Sequence, residues 1–192
     1  ITIPKQLTGN SVTWVDENGQ ANESNATFGQ IGLKPKTVTA NTELSRKFIL
    51  QSSLSAEQFA RNELLSAMML GIDLAAINGS GASNQPTGIL NTAGIGAVGI
   101  GANGGKLAWE HVVALETSIA AANADLGNLA YLTNTKVRGA LKTTLKAEGV
   151  SGYIWQDGAT PLNGYRCEVS NQVPSNLTKG TANGKCSPLI FG

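Results

Sequence analysis

A chain of 192 residues with a formal net charge of +1 can bury a core, yet only 14% of its residues are charged, against about 25% in an average globular domain. Basic and acidic side chains are spread evenly, six and seven up to residue 105 and eight and six beyond it, which excludes a basic nucleic-acid module in either half. Low charge and 23 glycines together suit a loop-rich surface partly covered by partners.

From Ser11 to Leu50 the side chains alternate with a period of two. Val38, Ala40, Thr42 and Leu44 fall on one face and Thr39, Asn41, Glu43, Ser45 and Lys47 on the other, which predicts a half-buried strand. An earlier strand in "SVTWV" reaches it through the polar "DENGQANESNATFGQ", where Asn18-Gly19 is a turn signal. The two read as a long arm that cannot bury itself, because isolated hairpins are marginal in water.

At Ser55 the period changes to 3.6. Ser55 and Gln58 have the spacing of a capping box, Glu57 sits in the first turn, and Glu57 with Arg61 is a supporting pair. The helix predicted over Ala56–Asn78 carries Phe59, Leu64, Leu65, Met68, Met69, Ile72, Ala76 and Ile77 around much of its surface, so it should be covered on more than one side.

Residues 79–105 hold no charge and many glycines, and read as loop with short strands near "GILNTAGI" and "GAVGIG". Beyond them come a helix in "LAWEHVVALETSIAAANA", a strand in "LAYLTN", a helix in "NTKVRGALKTTLKAEG", and strand-like "GYIW", "GYRCEVSN" and "PLIF". Mixed elements without clean βαβ repeats predict an α+β fold.

Catalytic and ligand patterns are scarce. "GSGASN" follows a helix and lacks the third glycine of a dinucleotide fingerprint, and "GANGGK" has neither P-loop spacing nor a following Ser or Thr. His111 is the single histidine, and no G-x-S-x-G elbow accompanies it. Cys167 and Cys186 read as buried thiols, and with one histidine they make no tetrahedral metal set, so neither metal nor cofactor is expected. No stretch is continuously apolar enough to span a membrane, and the start at Ile1 has no signal-peptide pattern. Arg138, Lys142 and Lys146 recur every four residues beside Val137, Leu141 and Leu145. The apolar stripe should pack inward, leaving the basic one to solvent, an acidic partner or a nucleic-acid backbone.

A long helix ending in "GIDLAAINGSGASNQPTGIL" resembles the major capsid proteins of tailed phages, with the Hong Kong 97-type fold. "VTWVDENGQANESNATFGQIGLKPKTVTANTELSRKFI" is similar to that family's E-loop hairpin, and "LAYLTNTKVRGALKTTL" and "ATPLNGYRCEVSNQVP" to its axial domain. The resemblance implies an E-loop and adjoining peripheral strand over 1–50, a spine helix and glycine-rich connection over 51–105, and an axial domain over 106–192. It implies a structural shell protein rather than an enzyme, forming hexamers and pentamers around double-stranded DNA in a virion assembled in the host cytoplasm, with scaffold, protease and portal as further partners and no membrane. Subunit contacts would then involve Trp14, Asp16, Glu17, Asn22, Glu23, Phe28, Lys34 and Lys36 on the arm, and helix packing Phe59, Leu65, Met68, Met69 and Ile72. Arg138, Lys142 and Lys146 are the candidates to face DNA or a partner. Family members begin earlier and run on past a segment like "PLIFG", so the chain reads as a fragment trimmed at both ends.

Three other readings compete: an encapsulin-type compartment, a small hydrolase or transferase built on Asp73 or Asp157, and a monomeric binding module using the arm. Some relatives crosslink through a lysine near the E-loop tip, but Asp16 to Gln30 contains none. Mature particles should therefore run as monomer on a denaturing gel, and a ladder of covalent oligomers would contradict this.

Overall fold

The computed structural model describes residues 1–20, 22–51, 55–149 and 151–192. They fall into two units, Ile1–Thr37 and Val38–Gly192.

The first unit is an antiparallel hairpin of β1 (Thr2–Thr8) and β2 (Thr27–Gly32), paired from Thr2 opposite Gly32 to Thr8 opposite Thr27 with an irregularity between Gln6 and Thr8. An arm is present, but its strands are not the expected ones: neither Ser11–Val15 nor Val38–Ser45 is a strand. Past Thr8 the polar side chains bond locally, Ser24 Oγ accepting from Ser11 N and donating to Ser11 O, both at 3.2 Å, so the ladder stops. The turn lies where Asn18-Gly19 placed it. Gly19 N donates to Asp16 O at 2.8 Å, and Asn18 has φ 67°, the positive angle a type II turn requires at that position. No described residue of this unit is buried.

Alternation in "VTANTEL" fails as a strand signal because every residue from Val38 to Leu44 is exposed, and a period of two has meaning only against a buried face. A local cap then decides the next segment. Ser45 Oγ accepts from Phe48 N at 3.1 Å and starts α1 (Arg46–Gln51). Helix α2 (Ala56–Asn78) has the expected bounds, and Ser55 accepts from Gln58 N at 3.3 Å. The reciprocal half of the capping box is missing, since the Gln58 amide donates to Asn62 Oδ1 instead.

The glycine-rich connection forms a single 3-10 turn, Ile89–Asn91, rather than two strands. Then come α3 (Trp109–Ala121), β3 (Ala130–Thr133), α4 (Thr135–Thr143), β4 (Arg166–Val169), a small hairpin of β5 (Leu177–Lys179) and β6 (Ala182–Cys186), and β7 (Ile190–Phe191). The hairpin is absent from the sequence reading, and "GYIW" contributes only a bridge between Leu145 and Tyr153. Strand β3 lies at the centre of a mixed sheet, parallel to β4 and antiparallel to β7.

The core gathers on this sheet: Val112, Tyr131, Leu141, Ile154 and Leu162 are buried, with Leu115, Val137, Leu189 and Phe191 packed against them. Tyr131 stacks on Phe191 at 4.2 Å between ring centroids, and its hydroxyl donates to Val112 O at 3.1 Å, tying β3 to α3. At the "LNGY" turn, Asn163 and Gly164 both have positive φ, as a type I′ turn demands. The Asn163 amide and the Tyr165 hydroxyl both donate to the Glu116 carboxylate, which docks this turn on α3.

Burial pushes the Tyr131 phenol from 10.0 up to about 12. The unfolded state releases this proton near pH 10 while the folded state holds it, so stability should fall between pH 10 and 12 by on the order of 2 kcal/mol from this group. Tyr131→Phe is expected to lower stability at pH 7 by about 1 kcal/mol through the lost hydrogen bond and to flatten the alkaline decline, measured by denaturant unfolding across that range.

Candidate interaction surfaces

Two surfaces stand out, because each leaves large apolar side chains in water. On the arm, Trp14, Asp16, Glu17, Asn22, Glu23, Phe28, Lys34 and Lys36 are all exposed. Trp14 is 99% exposed, beyond the last paired residues of the ladder, and Val12 two residues before it is 87% exposed. On α2 the expected packing residues Phe59, Leu65, Met69 and Ile72 are exposed by half or more, Met68 is half-buried, and only Ala56 and Ile77 at the two ends are buried. An apolar helix in water is stable only if something covers it, and the rest of this unit leaves most of α2 bare. Glu57 and Arg61 make the expected pair at 2.6 Å, both well exposed.

The stretch after α2 is a clasp on the helix end. Gly79 N donates to Ala75 O at 2.9 Å, Gly88 N to Gly79 O at 2.8 Å and Gly81 N to Pro86 O at 3.2 Å, so the loop returns onto the last turn. A side chain at Gly79 would collide with Pro86 O and Ala75 O, and one at Gly88 with the backbone of Ile77, Asn78 and Gly79. Asn91 Nδ2 donates to Gly79 O at 3.0 Å and Thr92 Oγ1 to Gly88 O at 2.9 Å, closing the clasp. The glycines are therefore there for close backbone approach, and the loop holds the helix rather than a phosphate. Their spacing was visible in the sequence, but the roles of Asn91 and Thr92 were not, because they depend on the folded path of the loop.

The basic stripe is only partly realised. Helix α4 ends at Thr143, where the Thr143 and Thr144 hydroxyls donate back to Ala140 O at 3.0 and 2.9 Å. Lys146 and Leu145 thus lie beyond the helix, and Leu145 is half-exposed instead of packing inward. Lys146 Nζ sits 4.3 Å from the Trp109 ring centroid and Lys142 Nζ 5.8 Å from that of Trp155. Arg138 is exposed on α4 without such a ring. Two of the three charges thus serve packing as well as solvation.

Remaining polar groups have local roles. His111 Nδ1 accepts from Ala108 N at 3.2 Å at the start of α3. Cys167 and Cys186 are free and half-buried rather than buried, and burial, with the Glu168 charge second, raises the Cys167 thiol to about 11. Asp73 and Asp157 are exposed, and neither lines the depression on α3 or the one between residues 41–48 and α2. Among the described residues no cluster of His, Cys, Asp and Glu could hold a metal, and no helix is long and apolar enough to cross a membrane.

A model of the phage capsid family matches residues 1–192. The major capsid protein of Halomonas phage phiHAP-1 is 38% identical over 173 residues, covering 90% of this chain and 28% of that protein, so the chain spans under a third of that relative's length. The capsid of a native GTA particle has the same fold, with a TM-score of 0.75 at 22% identity over 100% of this chain and 67% of its own. A Gordonia phage Cozz structure aligns at 0.56 and 15% identity, over 94% of this chain and 59% of its own.

Because the clasp is local to α2, its contribution can be measured on the chain alone. Gly88→Ala should destabilise it by about 1–3 kcal/mol through backbone overlap, whereas Gly71→Ala, with open space around it, should stabilise it by up to about 1 kcal/mol. Denaturant unfolding of the two variants checks both signs.

Proposed function

The chain belongs to the phage capsid family, and from that membership we propose that it forms wall of the icosahedral head in a tailed phage or prophage, as part of a major capsid protein. In this reading the fold is of the Hong Kong 97 type, with the E-loop within 1–50, the spine helix and its clasp within 51–105 and the axial domain over 106–192. Its partners are further copies of itself in hexamers and pentamers, packaged DNA bound without sequence preference, and scaffold, protease and portal proteins. Its place is the virion, assembled in the host cytoplasm, and it carries no active site.

One observation supports the reading above the others: the arm and α2 each leave large apolar side chains exposed. Association is the ordinary remedy for such surface. The arm's Trp14 and Phe28 and the helix's Phe59, Leu65, Met69 and Ile72 are then contacts between subunits or with further parts of the protein. A phage shell is preferred to an encapsulin compartment because the similar proteins come from phages and a GTA particle. For DNA, Arg138 is the strongest of the three basic candidates, since Lys142 and Lys146 are engaged by tryptophan rings.

Electron microscopy of the full-length gene product, expressed alone and with its neighbouring reading frames, is the test. Closed shells are expected in at least one preparation, with an absorbance ratio at 260 and 280 nm indicating nucleic acid in filled particles. Monomers in both would reject the reading.

A further inference from the structure

Five Asn-Gly pairs occur in the chain, at Asn18, Asn78, Asn103, Asn163 and Asn183. Such a pair can modify itself: glycine lacks the Cβ that would shield its backbone nitrogen, and that nitrogen can attack the asparagine side-chain carbonyl and close a five-membered ring. The fold treats the five pairs differently. In three of them the glycine N–H is already held, which fixes the peptide plane. Gly19 N donates to Asp16 O at 2.8 Å, Gly79 N to Ala75 O at 2.9 Å and Gly184 N to Thr178 Oγ1 at 3.4 Å. In a fourth the half-buried Asn163 amide is pinned on the Glu116 carboxylate. Asn103 differs on both counts. It is exposed, and no hydrogen bond among the described residues uses Gly104 N. Its Oδ1 instead accepts from Thr181 N at 2.9 Å. Negative charge gathers on that oxygen when a nitrogen adds to the side-chain carbonyl, so a backbone N–H aimed at it stabilises the addition as an oxyanion donor does.

We propose that Asn103 is a self-modifying site, converted to aspartate and isoaspartate in the folded protein with the Thr181 N–H as oxyanion donor. The Gly104 nitrogen bonds to Asn103 Cγ and gives up its proton, the Cγ–Nδ2 bond breaks, and ammonia leaves with that proton. One water then opens the succinimide. Cleavage of the new Cγ–N bond yields aspartate, and cleavage at the former backbone carbonyl yields isoaspartate, with the chain running through the side chain. Isoaspartate adds a backbone carbon at a contact that has no slack. A Cβ on Gly180 would collide with Asn103 Oδ1 and Ala102 O, and one on Gly104 would stand 3.0 Å from Cys186 Sγ. The insertion therefore parts the 101–104 turn from the β5–β6 hairpin and uncovers the Cys186 thiol, which otherwise points to Asn103 O at 4.0 Å. The step needs only water and no partner, so it stands apart from the shell reading.

The full-length gene product, incubated at neutral pH in water enriched in heavy oxygen and mapped by peptide mass spectrometry, tests this pair by pair. In the native protein, label at Asn103 is expected to appear at least about tenfold faster than at any of the other four. In denaturant, where all five have the same neighbour, that lead should vanish. Thr181→Pro, which deletes the donor N–H, should slow Asn103 by a similar factor, whereas Thr181→Ala, which keeps it, should leave the rate unchanged. Cys186 should react faster with a thiol reagent in the isoaspartate fraction than in unmodified protein. No label at Asn103 in the native protein, or label appearing first at another pair, would refute the site. A lead that persists in denaturant would refute the part given to Thr181.

Discussion

Helix α2 is apolar over most of its surface and is not covered by the unit to which it belongs. At roughly 25 cal/mol per Å² of apolar area, leaving Phe59, Leu65, Met69 and Ile72 in water forgoes several kcal/mol, comparable with the whole net stability of a domain. The remainder of the molecule is organised around that constraint. The clasp from Gly79 to Thr92 secures the helix end through backbone bonds that need no side-chain burial, and the residues that do bury side chains lie elsewhere, around Tyr131.

The Tyr131 core is built to stand by itself. Three aromatic rings, Tyr131, Tyr165 and Phe191, pack against one another, and Glu116, Asn163 and the Tyr131 hydroxyl fasten the sheet and its turn to α3. Asn134 accepts from Val137 N to cap α4 and donates to Pro174 O at 3.2 Å, so one buried side chain fixes both a helix start and a distant turn. The chain thus divides its work: one region is satisfied internally, while the arm and α2 present what only other surfaces can satisfy.

How much of this was legible follows the range of each signal. Helix α2 was readable to the residue because its cap, charge pair and terminal glycine are local. The arm was readable as an arm, but its register was not, since the period of two in "VTANTEL" faces nothing and Ser45 turns the following residues helical. Helix α4 was overextended because the back-bonding of Thr143 and Thr144 and the bridge from Leu145 to Tyr153 are invisible to a 3.6-residue pattern. The β5–β6 hairpin was missed for a similar reason: Thr181 N bonds to Asn103 Oδ1, and a glycine-bearing loop holds it from far along the chain. Of the candidate surface residues, Phe59, Leu65, Met69 and Ile72 on α2 are exposed within the chain where the sequence pattern led one to expect cover on more than one side, while Lys142 and Lys146 acquired ring partners that only tertiary proximity supplies.

The parallel pairing of β3 with β4 has a kinetic consequence. Thr133 meets Val169, and Tyr131 meets Phe191, only after long intervening segments have been ordered, and such distant closures are slow compared with forming a helix. The clasp, by contrast, closes over a few residues. During synthesis α2 should therefore be helical before the sheet exists, so the most adhesive surface of the molecule is displayed early, when encounters between unfinished chains favour aggregation over ordered growth.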